Sequence, residues 1–139
     1  MSFSRRDFSL LLPALMTAAN ADAQKTTLPS HSYRFDDLPT KTSGENRSWA
    51  VLDGLTHSGF HIDLHETELG PGGIPHAAHH HEHEEMLMIR QGEIEMTISG
   101  KTTKLGPGSV TYVASNEEHG VRNAGTARAS YFVIAFGRA

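Results

Sequence analysis

Residues 72–92 read GGIPHAAHHHEHEEMLMIRQG, and this stretch says more about the fold than any other part of the chain. Successive side chains of an extended strand point to opposite faces. The polar side chains that would share one face are His79, His81, His83 and Glu85. Leu87 and Ile89 continue that face as apolar residues, which indicates that it looks inward. Buried ionisable groups need a partner, and one divalent cation satisfies several of them. The stretch therefore predicts an inward-facing strand that carries metal ligands.

A third histidine for such a site comes from far along the chain. His119 lies in the segment EEHGVRN, residues 117–123. A ligand from a distant strand is what closes a site inside a barrel. The alternative is a solvated polar loop whose histidines bind metal only loosely, and the downstream segment argues against it.

Short strand-like runs separated by Gly, Pro and Asn turns fill the chain from Ser48 onward. They cover residues 49–52, 60–65, 94–99, 110–113 and 131–136. The second and third alternate apolar and polar residues, whereas the last is nearly continuously apolar, as expected for a strand covered on both faces. No window shows apolar spacing of three and four over a helical length. Many short strands with turns between them predict an all-β sandwich or barrel.

The alternation also predicts which side chains are buried. In residues 60–65 the apolar set is Phe60, Ile62 and Leu64. We expect that face to be inward, with His61, Asp63 and His65 on the solvent side. Met96 and Tyr112 are expected in the core.

The length, charge and composition of the chain exclude several classes of function. The chain has 139 residues, a one-domain length, and a formal charge of −4, which does not favour a nucleic-acid partner. No apolar stretch is long enough to span a bilayer, so no membrane partner is expected for the mature form. Cysteine is absent, which excludes disulfides, thiolate metal sites and cysteine nucleophiles. Ten histidines are present, and five of them lie between His76 and His83.

The first residues are typical of a targeting signal rather than of a structural element of the folded domain. Arg5 and Arg6, followed by an aromatic residue and the apolar residues 10–19, resemble the bacterial twin-arginine export signal. The sequence ADA at 21–23 fits a small-x-small cleavage site. An ordinary amphipathic helix is the alternative. The predicted segments are a signal peptide over 1–23, an extended arm over 24–47 that could pair at a sheet edge, and a barrel domain over 48–139. Export would place the mature protein in the periplasm or outside the cell.

The spacing of these residues resembles that of the cupin superfamily. The first cupin motif reads Gly, five residues, His, one, His, three or four, Glu, six, Gly. The matching residues are Gly73, His79, His81, Glu85 and Gly92. The second motif reads Gly, five, Pro, one, Gly, two, His, three, Asn, and it is matched by Gly108, His119 and Asn123. Ala114 and Asn116 stand where Pro and Gly are usual. Because Asn tolerates positive φ, we expect the turn before His119 to be kept.

The resemblance covers residues 60–136 and implies a double-stranded β-helix, the cupin or jelly-roll barrel, often as a homodimer. It also implies one divalent metal held by His79, His81, Glu85 and His119. The remaining histidines of the cluster, His76, His80 and His83, have no motif position. His83 could line the site only if the strand stayed regular, and we expect all three at the rim or surface.

Three imidazoles and a carboxylate suit Mn, Fe, Ni, Cu or Zn by ligand type. Folding in the cytoplasm before export would favour Mn or Fe. The resemblance implies a metal-dependent enzyme of the dioxygenase type that acts on a small organic substrate, with Glu85 as both ligand and proton acceptor. Two alternatives stay open: a periplasmic binding or sensing module without turnover, and a metal-dependent decarboxylase or isomerase. A cupin that keeps the ligands but uses little metal is a further one.

Overall fold

The computed structural model describes residues 26–138, and nearly all regular structure within them is antiparallel β-sheet. A 3-10 turn at Phe35–Asp37 precedes the strands. The strands are β1 (Thr40–Ser43), β2 (Asn46–Leu55), β3 (Phe60–Leu69), β4 (Glu84–Gln91), β5 (Ile94–Ile98), β6 (Lys101–Leu105), β7 (Val110–Val113), β8 (His119–Arg122) and β9 (Ala129–Arg138). Within residues 26–138, no helix has the length and apolar character needed to cross a membrane.

Two sheets build the barrel. The larger sheet has the strand order β1-β2-β3-β9-β4-β7, and the smaller has β6-β5-β8. β3 and β4 follow each other in the sequence but are not adjacent in the larger sheet, because β9 from the end of the chain lies between them. This is the jelly-roll arrangement, and the all-β prediction is confirmed.

The core lies between the inner faces of the two sheets. Leu87 and Ile89 of β4 are buried, as the sequence predicts, and Met88 between them is exposed. Met96 of β5 is buried in the same core, also as predicted. In β9, alternate residues from Tyr131 to Phe136 are buried and those between them are half-buried. One face of β9 is therefore covered less than the apolar run suggested.

The face of β3 predicted to be solvent-exposed is the inner one. Thr67 and Leu69 are buried on that face, and Asp63 and His65 of the same face line an internal cavity. Phe60, on the opposite face, is exposed. The prediction fails because residues 60–65 form the end of β3 at the cavity, where the inner face is polar; the apolar inner residues follow at the other end of the strand.

Tyr112 is likewise not a core residue. Its side chain is exposed on the outer face of β7, and its hydroxyl donates a hydrogen bond of 2.6 Å to Glu84. The hydrogen bond to that carboxylate raises the pKa of Tyr112.

The chain before β1 packs on the outside of the larger sheet. Leu28 donates its backbone N–H to the carbonyl of Leu55. The ring centroids of Phe35 and Trp49 are 5.2 Å apart, and the guanidinium of Arg90 lies over the Phe35 ring, 5.8 Å from its centroid. β1, inside the predicted arm, pairs with β2 at the edge of the sheet. The predicted signal peptide, residues 1–23, lies outside the described residues.

Candidate metal centre

Three histidine rings converge at one end of the barrel. The ring centroids of His79 and His119 are 4.7 Å apart, those of His81 and His119 4.8 Å, and those of His79 and His81 5.0 Å. One nitrogen from each ring can be chosen so that all three lie within 4.8 Å of one another. This group could hold a metal ion.

Backbone pairing sets the positions of these rings. His79 and His119 exchange both N–H···O bonds, at 3.0 and 2.9 Å, in an isolated bridge between the two histidine-bearing segments. Asn116 donates its N–H to the carbonyl of His81 at 2.8 Å and has φ of +63°. The turn predicted from asparagine's tolerance of positive φ is therefore kept.

Strand parity holds for only part of the histidine cluster. His79 and His81 are half-buried, whereas His80 between them is exposed. The chain bends at residues 82 and 83, before β4 begins at Glu84. His83 is therefore exposed, and its ring stacks on His81 at 3.6 Å between centroids. His76 is exposed as well, which confirms the rim or surface positions expected for all three.

Each converging ring is held through Nδ1 by a backbone carbonyl. Nδ1 of His79 lies 3.3 Å from the oxygen of Ala77, and Nδ1 of His119 lies 2.9 Å from that of Glu117. Nδ1 of His81 lies 2.8 Å from the carbonyl of His83. A carbonyl only accepts, so Nδ1 carries the proton of the neutral ring and Nε2 keeps a lone pair. This is the outer-shell arrangement that orients metal-ligating histidines.

Glu85 joins this group from β4. Its Oε1 lies 2.9 Å from Nε2 of His119, and its Oε2 lies 3.5 Å from Nε2 of His81. Nε2 of His119 is buried and has no hydrogen-bond partner among the described residues, because its contact with Glu85 lacks hydrogen-bond geometry. A carboxylate oxygen and an imidazole lone pair then face each other. A cation between them would satisfy both, so the donor set fits a divalent metal.

Burial and neighbouring charges favour the neutral form of a converging ring. Desolvation lowers the pKa of His79, and the adjacent His76 lowers it further. Across the cavity, burial raises the pKa of Tyr131, whose hydroxyl is hydrogen-bonded to Thr67. The lowered pKa of His79 favours the neutral ring, which is the form that can bind a metal.

A cavity of about 520 Å³ opens beside the converging histidines, within the size range of small-molecule pockets. His119 and Glu85 form part of its wall, together with apolar residues such as Leu87 and Val133. Asp63 and His65 also line it, although the alternation of residues 60–65 predicted both to face solvent. Their position depends on β9 separating β3 from β4, which local alternation does not reveal.

The family profile described as "Cupin domain" matches residues 65–135, which is more than half of the chain. The chain belongs to the cupin family. No curated protein sequence matches it significantly.

Solved structures share the fold at low identity. An RmlC-like cupin from Shewanella frigidimarina is 15% identical, with 81% of this chain and 92% of that chain covered and a TM-score of 0.65. KdgF from Halomonas sp. is 15% identical, with coverages of 77% and 94% and a TM-score of 0.64. The polyketide cyclase RemF from Streptomyces resistomycificus is 18% identical, with coverages of 77% and 79% and a TM-score of 0.62. Such identities establish the fold and leave the reaction open.

Proposed function

We propose that this chain is a metal-dependent cupin enzyme of the dioxygenase type that acts on a small organic substrate. The observation that carries the proposal is the contact between Glu85 and His119. A carboxylate oxygen lies 2.9 Å from the buried Nε2 of His119, while Nδ1 of the same ring is directed at the carbonyl of Glu117. That contact is favourable with a cation at the site.

Three imidazole nitrogens and one carboxylate define the proposed ligand set of His79, His81, His119 and Glu85. Mn or Fe is the proposed metal, and Ni, Cu and Zn also accept these ligand types. When bound, the metal would supply Lewis acidity and, as Mn or Fe, the ability to react with O₂. Tetrahedral Zn would be nearly saturated by four protein ligands, which argues against a hydrolytic role.

Glu85 is the proposed catalytic residue. Its side chain is 13% exposed and belongs to the cavity wall, so a substrate in the cavity can reach the carboxylate. A carboxylate within hydrogen-bond reach of a substrate can accept its proton. Glu85 would therefore both hold the metal and move a proton.

Two further properties belong to the proposal. Residues 1–23 would direct export by the twin-arginine route, which places the mature enzyme in the periplasm or outside the cell. Transport of a folded protein would let it take Mn or Fe in the cytoplasm before export. The homodimer implied by the family resemblance stays a prediction.

The test is O₂ consumption by Fe- and Mn-loaded protein with a panel of aromatic and enolic substrates. We expect uptake of O₂ that depends on the metal and is lost in His79→Ala. Turnover without O₂ would instead support a decarboxylase or isomerase. Saturable binding without any product would support a binding or sensing module and would contradict the proposal.

A further inference from the structure

A second pair of titratable side chains lies in the cavity, apart from the converging histidines. Nδ1 of His65 lies 2.9 Å from Oδ1 of Asp63, and both side chains are half-buried. They occupy alternate positions of β3, so both point to the inner face of the larger sheet. Both line the same cavity as Glu85 and His119.

The strand register places this pair opposite the candidate metal centre. Asp63 pairs with Ala135 of β9, and Ala135 pairs in turn with Glu85 of β4. Two inter-strand spacings separate β3 from β4, which amounts to about 10 Å. Between Asp63 and Glu85, β9 contributes the methyl group of Ala135, whereas His65 lies one inward position further along, opposite Val133 of β9 and Leu87 of β4. The Asp63–His65 pair and Glu85 line the same cavity. A ring-sized molecule would reach both.

The hydrogen bond to Asp63 fixes what His65 offers to the cavity. A carboxylate only accepts, so Nδ1 of His65 is the donor and Nε2 of the neutral ring keeps its lone pair. Among residues 26–138, the His65 side chain has no other hydrogen bond or ion pair. The ring therefore presents a basic nitrogen to a ligand, and the Asp63 carboxylate would stabilise the imidazolium that forms.

We propose that His65, held by Asp63, is a proton acceptor that contacts the ligand, and that the ligand carries an acidic hydroxyl of the catechol or enol class. This deepens the proposed function and rests on it. In the step, the ligand's O–H bond breaks, the electron pair stays on that oxygen, and the proton forms an N–H bond at Nε2 of His65. A side chain within hydrogen-bond reach of such a hydroxyl can accept its proton, and the lone pair on Nε2 is the group that would do so here.

The chain contains a matched control on the same strand. His61 also lies beside an aspartate, with Nε2 2.6 Å from Oδ1 of Asp53. It is not among the residues that line the cavity. Replacing it removes a similar imidazole–carboxylate pair from β3 without removing a group from the cavity.

The experiment uses 4-nitrocatechol, whose absorbance spectrum reports its ionisation state, as the probe. Wild type, His65→Gln, Asp63→Asn and His61→Gln are loaded with metal, and their metal content and thermal unfolding are measured first. We expect all four to be folded and to hold equal metal. His65→Gln should bind the probe about tenfold more weakly, the loss expected for one charge-assisted hydrogen bond. Its bound probe should be less ionised. Asp63→Asn should show the same changes to a smaller extent, and His61→Gln should match wild type.

Equal affinity and equal bound spectra in wild type and His65→Gln would overturn the inference. So would failure of the metal-loaded wild type to bind the probe, or an equal loss in His61→Gln. If the folded wild type takes up no metal, the proposed function fails by itself. The comparison is then made on the metal-free protein, where the inference still predicts less ionised probe with His65→Gln than with wild type.

Discussion

Oε1 of Glu85 lies 2.9 Å from Nε2 of His119, although the Nδ1 atom of that ring is already directed at the carbonyl of Glu117. Glu85 belongs to β4 of the larger sheet and His119 to β8 of the smaller one. The contact therefore joins the two sheets and exists only when the barrel is closed. The candidate metal centre thus depends on the complete fold rather than on the histidine cluster alone.

Glu85→Gln should weaken metal binding less than loss of a histidine does, because an amide oxygen is a neutral and weaker ligand. It should abolish turnover if Glu85 moves protons. In the metal-free protein at about pH 8, where imidazole is neutral, the amide can donate a hydrogen bond to Nε2 of His119. We therefore expect metal-free Glu85→Gln to be more stable than metal-free wild type by about 1 kcal/mol. Thermal unfolding in chelator measures this difference, and a less stable variant would argue against the lone-pair contact.

Asn123 should contribute to stability rather than to ligand binding. Its side chain is fully buried, and its amide nitrogen donates to the carbonyls of Leu69, Gly70 and Ala127 at 2.8–3.1 Å. Asn123→Ala would remove these buried hydrogen bonds, although the Gly70 carbonyl still accepts from the N–H of Gly73. We therefore expect a loss of about 3 kcal/mol in the free energy of unfolding. Asn46→Ala is the control, since Asn46 bonds loop backbone from a less buried position, and about 1 kcal/mol is expected. Urea unfolding distinguishes them; equal effects would contradict this account of Asn123.

Both motifs could be predicted from the sequence because ligand spacing is local. Gly92 shows why a glycine is required there: its φ is +72°, and an added Cβ would lie 2.5 Å from the carbonyl oxygen of Arg128. The alternation of Leu87 and Ile89 correctly gave the inner face of β4, where both are buried and the intervening Met88 is exposed.

The inner face of β3 could not be predicted in the same way. The inner face of β3 is polar where it lines the cavity, so Asp63 and His65 resemble the residues of a solvent-exposed face. The bend at residues 82 and 83 could not be predicted either. Residues 81–85 (HEHEE) are all polar, so no alternation of apolar and polar residues marks where β4 begins. Long-range pairing decides both features, and no local pattern records it.

Metal occupancy should fall as the pH drops below the ordinary histidine range, because a coordinating imidazole must be neutral. Desolvation, and then the charge of His76, lower the pKa of His79 below the usual value of about 6.5. Its ring therefore stays neutral, and able to bind the metal, to a lower pH than an ordinary histidine. A group with a lowered pKa in the folded state also destabilises the fold as the pH falls, because the unfolded chain binds protons more readily. Equilibrium dialysis over a pH series measures occupancy. Full occupancy well below the carboxylate range would contradict histidine ligation.

Export should depend on the arginine pair at the start of the chain. Replacing Arg5 and Arg6 with Lys keeps the charge but removes the feature that the twin-arginine pathway reads. We expect the precursor to accumulate in the cytoplasm, as measured by fractionation and immunoblotting of the bacterial host. Unchanged processing and location would show that residues 1–23 are not such a signal.

The metal content of His79→Ala and His80→Ala, measured by elemental analysis of folded protein, tests the proposed metal centre most directly. These histidines are adjacent, yet the first is half-buried at the converging rings and the second is exposed. We expect wild type and His80→Ala to hold roughly one metal ion per chain and His79→Ala to lose most of it. If His80→Ala loses its metal as completely as His79→Ala, binding reflects general histidine richness, and the assigned metal centre is wrong.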